Sequence, residues 1–486
     1  MAAEKTMRLP ALGLLLALSL GAAPPSQAAA DAGAPEARAE AAIPAPGENF
    51  DPSPANIERR TERLALANGA RLALLPKSTR GHTVNGYFSF VFGDAEQLAG
   101  QGQIARLTAA MLNQGVAGLD RTTLAHRLGQ LQSSLHISGS GQEVRVGFAS
   151  QRDTLPALLD LIAAQLQRPS FPPEAFERLR QQRRAELENQ RRNPQAVAAQ
   201  TLAHRMNRYG PGDIRYIPTL DEELASLRQV KLAQLRRFHQ RFYGADHARL
   251  VVVGDFDAAA VRRQLSRQYG AWRSSARYRP LAPRLQDKPA GVQALRLASA
   301  GGSAYLAAQP LVLRDTAEDY PALLLANQIL GGESRSRLFQ RAHQTQDAAE
   351  GIRSTLRADS AQNAGLWRVA IAGAPRDLTE WQAGLDEAMR RLLEEGVSEL
   401  EVAAAKHALL QDAQLARAQD DTLSLELNRQ LAEGRTMDFV EKLENRIRQA
   451  SVAQVNAALR RHLRPRAWSA VYAGVALPAR PLLSQN

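Results

Sequence analysis

The 486-residue chain has no cysteine, only six lysines and four tryptophans, and aromatic residues make up 5% of it. The missing cysteine excludes disulfides, thiol nucleophiles, cysteine-ligated zinc and iron–sulfur clusters together. Any metal would have to be held by His, Asp and Glu. The nine histidines, His82, His126, His136, His204, His239, His247, His343, His407 and His462, are scattered, with no pair at metal-ligand spacing. There is no G-x-S-x-G elbow and no phosphate-cradling loop. After the N-terminal region no stretch approaches 18 apolar residues, so no membrane span is expected.

What is present is an ordinary globular composition, 44% hydrophobic and 23% charged, which excludes wholesale disorder. The formal charge of +12 is almost all arginine. Beside so much alanine and leucine, that bias reads as a GC-rich coding sequence. The densest run, Arg180, Arg183, Arg184, Arg191 and Arg192, is interleaved with Glu177, Glu186 and Glu188, as on a solvated helix face. With no nucleic-acid signature in the chain, no nucleic-acid partner is expected.

Lys5 and Arg8 precede an apolar run from Leu9 to Ala23, followed by Pro24-Pro25-Ser26-Gln27-Ala28-Ala29-Ala30. A basic start, a short apolar core and small residues at the end make a secretory signal over 1–30. Residues 31–55, rich in Ala and Pro, read as a disordered spacer. The expectation is an exported protein, periplasmic, with no membrane span once the signal is removed.

The rest of the chain repeats itself. Residues 232–254 align without a gap on 452–474 at an offset of 220, and 152–190 on 376–414 at an offset of 224. Two blocks in the same order at nearly one offset define two tandem units, 56–275 and 293–480, joined by a proline-marked linker at 276–292. In the first unit Asn68-Gly69 predicts a hairpin between strands at 64–66 and 71–75. A strand at 84–92 leads to helices at 103–114 and 121–130, then to a hairpin of 135–138 with 144–148. Helices at 154–167 and 173–208, the latter interrupted by Pro194, another at 231–242 and a strand at 250–253 complete it. The second unit repeats this order. The fold class is α+β: two homologous sandwich units, each an antiparallel-rich sheet with helices packed on one face.

These stretches resemble the pitrilysin/insulinase (M16-type) group of zinc peptidases. Gly102–Met111 is similar to the family's G-x-A-H-x-x-E-H-M helix, Leu330-Gly331-Gly332 with Ser336–Gln340 to its LGG…SRLFQ segment, and Leu250–Asp255 to the strand closing the first unit. The resemblance covers about 60–475 and implies a half-clam built from the two units. It also implies an inverted H-x-x-E-H site, with two histidines on zinc and a glutamate as general base. Here those positions hold Arg106, Ala109 and Ala110, none of which can ligate zinc. Glu186 stands at the spacing of the distal zinc glutamate, an orphan that reads as a helix-face residue pairing Arg106. The second unit's substrate-holding Arg and Tyr fall on His343 and Glu350. The strand that receives peptide by β-addition falls on Ser133, Ser134, Leu135 and His136, with Ile137 and Ser138 beyond.

The resemblance therefore implies an exported, catalytically silent subunit with no cofactor of its own. It would pair with a zinc-bearing peptidase subunit of the same family to close a peptide-degrading chamber. Two alternatives stand beside it: a scaffolding protein of the cell envelope without peptide turnover, and a zinc metalloendopeptidase by family assignment only.

Overall fold

The computed structural model describes residues 47–282, 290–297, 301–344, 349–373 and 378–475. The signal expected at 1–30, most of the spacer and the centre of the linker lie outside the described residues.

The first unit contains α1 (Pro54–Arg60), β1 (Glu62–Ala65), β2 (Arg71–Pro76), β3 (Thr83–Val91), α2 (Gly102–Met111), the two-residue strands β4 (Gly115–Val116) and β5 (Leu119–Asp120), and α3 (Arg121–Gln130). It continues with β6 (Ser134–Ser140), β7 (Glu143–Gln151), α4 (Leu155–Gln167), α5 (Pro173–Gln190), α6 (Pro194–Arg205), α7 (Leu220–Gln229), α8 (Leu232–Phe242), β8 (Arg249–Gly254) and α9 (Ala258–Tyr269). The second contains β9 (Gly291–Arg296), β10 (Ser303–Leu311), α10 (Tyr320–Gly331), α11 (Arg337–Gln344), β11 (Ala349–Ala358) and β12 (Gly365–Gly373). Then follow α12 (Leu378–Glu394), α13 (Glu399–Ala418), α14 (Asp420–Glu433), α15 (Met437–Gln449), α16 (Val452–His462) and β13 (Ser469–Gly474).

Local chemistry places the turns. Gly69 takes φ +98, which a side chain would strain, while the Asn68 amide donates to Tyr269 O and its carbonyl accepts from Ala70 N. Pro194 opens α6 under an Asn193 cap, so the long helical pattern breaks into α5 and α6 there. Ordered contact begins inside the stretch read as a spacer: the Lys77 ammonium lies 4.2 Å from the Phe50 ring centre, and Ser53 caps α1.

The strand order is β1-β2-β8-β3-β7-β6 in one sheet and β11-β12-β10-β13-β9 in the other. Read from β6 and from β11, the two orders coincide, down to one parallel pairing in each, β2 with β8 and β9 with β13. Among the described residues, β1 is the strand of the two sheets without a counterpart. The mixed α/β architecture expected from the sequence is present, with each unit's helices forming a core on one sheet face.

The other face of each sheet is covered as well, by a helix from the other unit. Along β2 and β8, Leu72, Leu74, Leu250 and Val252 enter the first unit's own core, while Ala73, Leu75, Val251 and Val253 meet Leu423, Leu427 and Leu431 of α14. Along β10 and β13, Ala304, Leu306, Ala308, Val471 and Ala473 meet Ala198 and Leu202 of α6. The exchange is reciprocal, because the 224-residue offset carries the start of α6 to within two residues of the start of α14. Polar groups support it: the Lys77 ammonium lies 2.5 Å from Asp420, Ser89 Oγ donates to Asn428, and the Asn428 amide donates to Tyr87 O and Arg249 O. The two units therefore share two of their cores, and each unit's second sheet face depends on the other unit.

Candidate functional site

Helix α2 carries the three altered positions. Its apolar residues Ile104, Ala105, Leu107, Ala109 and Met111 are buried, and it packs on β6, α8, α5 and α7. Ala109 is wholly buried against β6, so close that a Cβ added at Gly139 would lie 2.7 Å from the alanine methyl. One turn on, the Asn113 amide donates to Ile137 O at 2.8 Å, tying the end of the helix to the same strand. Ala110 is half-buried.

Arg106 stands at the head of this face. Its Nη1 donates to Glu223 Oε2 at 2.9 Å, and Arg183 Nη2 donates to the same oxygen at 2.8 Å. Glu186, expected to pair Arg106, instead accepts from Arg183 Nη1 at 3.3 Å and from Gln182 at 3.0 Å. The reason is depth: the Glu186 side chain is 44% exposed, whereas Glu223 is 7% exposed. The buried carboxylate needs charged donors most, and two guanidiniums converge on it. Burial lowers the pKa of Arg106, Glu223 opposes that shift, and Arg183 adds to it.

Glu223 was absent from the sequence expectations because α7 was. The signal was available: Thr219 and Glu222 form a capping box, its hydroxyl accepting from Glu222 N while the Glu222 carboxylate accepts from Thr219 N. Glu222 is spent on the cap, and Glu223, one position further round the helix, faces α2 and α5.

The donor set does not fit zinc. A guanidinium and two methyl groups replace the motif's ligands and base, and the nearest carboxylates already accept from arginine. Among the described residues no group of three or more His, Asp or Glu could hold a metal.

The positions expected to receive peptide fall on and beside β6, the terminal strand of its sheet. Ser133 Oγ bonds Leu131 O and Ser150 Oγ, so it fixes the strand's entry. Ser134 and His136 are exposed, and Leu135 packs partly on the core. His343 lies in α11 and Glu350 in β11, the terminal strand of the second sheet; both side chains lie outside the described residues. The SRLFQ segment is an anchor: Arg337 makes a two-pronged pair with Glu401 at 2.7 and 3.0 Å and also donates to Gly396 O. Gly331 permits a close approach, since a Cβ there would lie 2.9 Å from Ser354 Cβ.

Comparison with known proteins agrees with this architecture. Residues 229–409 match a family model described as the peptidase M16 inactive domain. The chain is 21% identical over 384 residues to the non-peptidase homologue YmxG of Helicobacter pylori, covering 78% of this chain and 86% of that protein. The fold is similar to a peptidase M16 inactive domain from Pseudomonas fluorescens, with a TM-score of 0.75, 22% identity, and coverage of 87% and 99% of the two chains. It is also similar to the periplasmic protease PqqL of Escherichia coli, with a TM-score of 0.69 and 15% identity. That match takes in 93% of this chain and 49% of PqqL, so the chain spans about half the length of that protein. Among the described residues no helix is long and apolar enough to cross a membrane.

Proposed function

We propose that the chain is a degenerate M16-like peptidase homologue and the silent half of a two-chain peptide-degrading chamber, exported to the periplasm. The observation that carries the proposal is the remade α2 face. All three positions on which hydrolysis would depend are occupied by residues that neither bind zinc nor activate water, yet the helix keeps its seat on the edge strand. Such a chain retains the surfaces for holding peptide and for closing a chamber, and needs a partner for the chemistry.

Two further features support it. The exchanged helices make the two units one body, the size of one half of a protease about twice as long. The signal-like N-terminus, Lys5 and Arg8 before Leu9–Ala23, supports export. The excess of arginine would favour acidic peptides at low salt.

The test mixes the purified chain with an exported M16-type chain bearing an intact H-x-x-E-H helix from the same cell. Association, and peptide cleavage raised above that of the zinc-bearing chain alone, are expected. Recovery of envelope machinery without any metallopeptidase would turn the reading to scaffolding. Stoichiometric zinc in the isolated chain, by elemental analysis, would overturn it.

A further inference from the structure

The helix that lacks the zinc-type residues still lies against the edge strand, and the first of those positions now holds a fixed cation. Ala109 and Asn113 grip β6 through Gly139 and Ile137 O, and Arg106 projects one helical turn before Ala109 on the same flank. Its hydrogen bond to Glu223 is the single one it makes among the described residues. A guanidinium offers five N–H groups in a rigid fork, and the Arg106 side chain is 31% exposed, so part of the fork is within reach of solvent.

Two guanidiniums, Arg106 and Arg183, meet two carboxylates here, and among the described residues Glu223 alone bonds Arg106. One oxygen of Glu223 serves both Arg106 and Arg183, Arg183 Nε is buried without an acceptor, and the second carboxylate, Glu186, turns outward. Burial lowers the Arg106 pKa, Arg183 adds to the effect, and Glu223 and Glu186 oppose it. Beside it, Ala110 leaves a methyl where the motif would have a ring.

We infer that this position has become a carboxylate-reading site, in which the Arg106 guanidinium, with Arg183 behind it, receives a carboxylate carried by an extended peptide on the open edge of β6. The carboxylate comes from the peptide's C-terminus or from an acidic side chain, both of which a guanidinium fork pairs in the same way. No bond is broken; the site holds peptide acids. The inference rests on the proposed reading that β6 still docks peptide.

The experiment measures binding of labelled peptides to the full chain by fluorescence anisotropy at low salt. One short Val/Thr-rich sequence is used in three forms: C-terminal acid, C-terminal amide, and amide with one internal Glu. The acid, the Glu form or both should bind about tenfold more tightly than the plain amide, and which of them does so identifies the source of the carboxylate. Arg106→Gln should abolish the preference and Arg106→Lys should keep part of it, with the amide's affinity unchanged in both. Arg184→Gln, which removes an exposed pair with Glu188 on α5, should leave the preference intact. Equal affinities for all three forms, or a preference that survives Arg106→Gln in a variant with native circular dichroism, would overturn the inference while leaving peptide docking standing. Binding of no form would sink both.

Discussion

Glu223→Gln is the sharpest probe of the remade α2 face, because it removes a charge without changing shape. The native carboxylate lies 2.9 Å from Arg106 Nη1 and 2.8 Å from Arg183 Nη2, with its side chain 7% exposed. Breaking a fully buried ion pair from one side costs about 3–5 kcal/mol. Here the cost is smaller, since the Arg106 side chain is 31% exposed and regains some hydration, while Arg183 keeps Glu186. A destabilisation of about 2 kcal/mol is expected, between the buried and exposed limits. For one cooperative body of about 430 residues, at about 2.1 cal/mol/K per residue, that corresponds to a fall in Tm of about 2 °C.

The assay is urea unfolding followed by tryptophan fluorescence and far-ultraviolet circular dichroism, run as a double-mutant cycle with Arg106→Leu. Alone, Arg106→Leu leaves Glu223 its bond from Arg183 and should cost about 1 kcal/mol. In the Glu223→Gln background the same change removes an uncompensated cation, so it should be neutral or stabilising. The coupling should reach about 1 kcal/mol or more. If the two effects add to within about 0.3 kcal/mol, Arg106 and Glu223 are not an energetic pair and the account of the site is wrong.

Gly139→Ala should cost about 1–3 kcal/mol in the same assay, because its Cβ would fall 2.7 Å from Ala109 and 2.9 Å from Glu143 O. Leu427→Ala, made in the second unit, should destabilise the whole chain by about 2–5 kcal/mol. It should also speed amide exchange at Val251 and Val253 of the first unit's sheet, which Leu427 covers; unchanged exchange there would count against the shared core. Burial raises the pKa of Asp319, but hydrogen bonds from His462 and Arg461 outweigh it and hold the carboxyl below its ordinary value. A carboxyl with a depressed folded pKa stabilises the fold above its unfolded value of about 4 and loses that contribution as pH falls through the folded value. Asp319→Asn should therefore be destabilising near neutrality and should converge on the parent below about pH 3, as acid melts would show.

Much of this fold was legible because its local signals are strong. Asn68-Gly69, the period-two strands around 135–148 and the Pro194 break each name a turn, a pairing or a helix end, and the structure has β1–β2, β6–β7 and the α5–α6 junction there. The repeat offsets were legible for the same reason: the aligned blocks are cores of helices and strands whose burial constrains them. The losses at Arg106, Ala109 and Ala110 could be read residue by residue, because zinc chemistry tolerates few donor types. Glu223 was not legible in that way. Its role depends on a tertiary contact between α7, α2 and α5, and nothing in Asp221-Glu222-Glu223 distinguishes the buried carboxylate from its neighbours until the Thr219 cap is recognised.

The reciprocal helix exchange left a quieter trace. Strands buried on one face alternate, as β7 does, whereas Leu250-Val251-Val252-Val253 is apolar without a break and every residue of β8 is buried. An unbroken run of that kind requires a second covering layer, and the first unit's own helices were already committed to the other face. The cover had to come from elsewhere in the chain, and α14 supplies it with leucines at 423, 427 and 431, spaced four apart. Its counterpart α6 carries Ala198 and Leu202 at the same spacing toward β10 and β13, where small residues on the sheet allow a close seat. Each unit folded alone would therefore expose an apolar sheet face, so the two units should fold and melt as one body. In the chamber proposed above, opening would then occur at the boundary with the partner chain, not between the two units of this one.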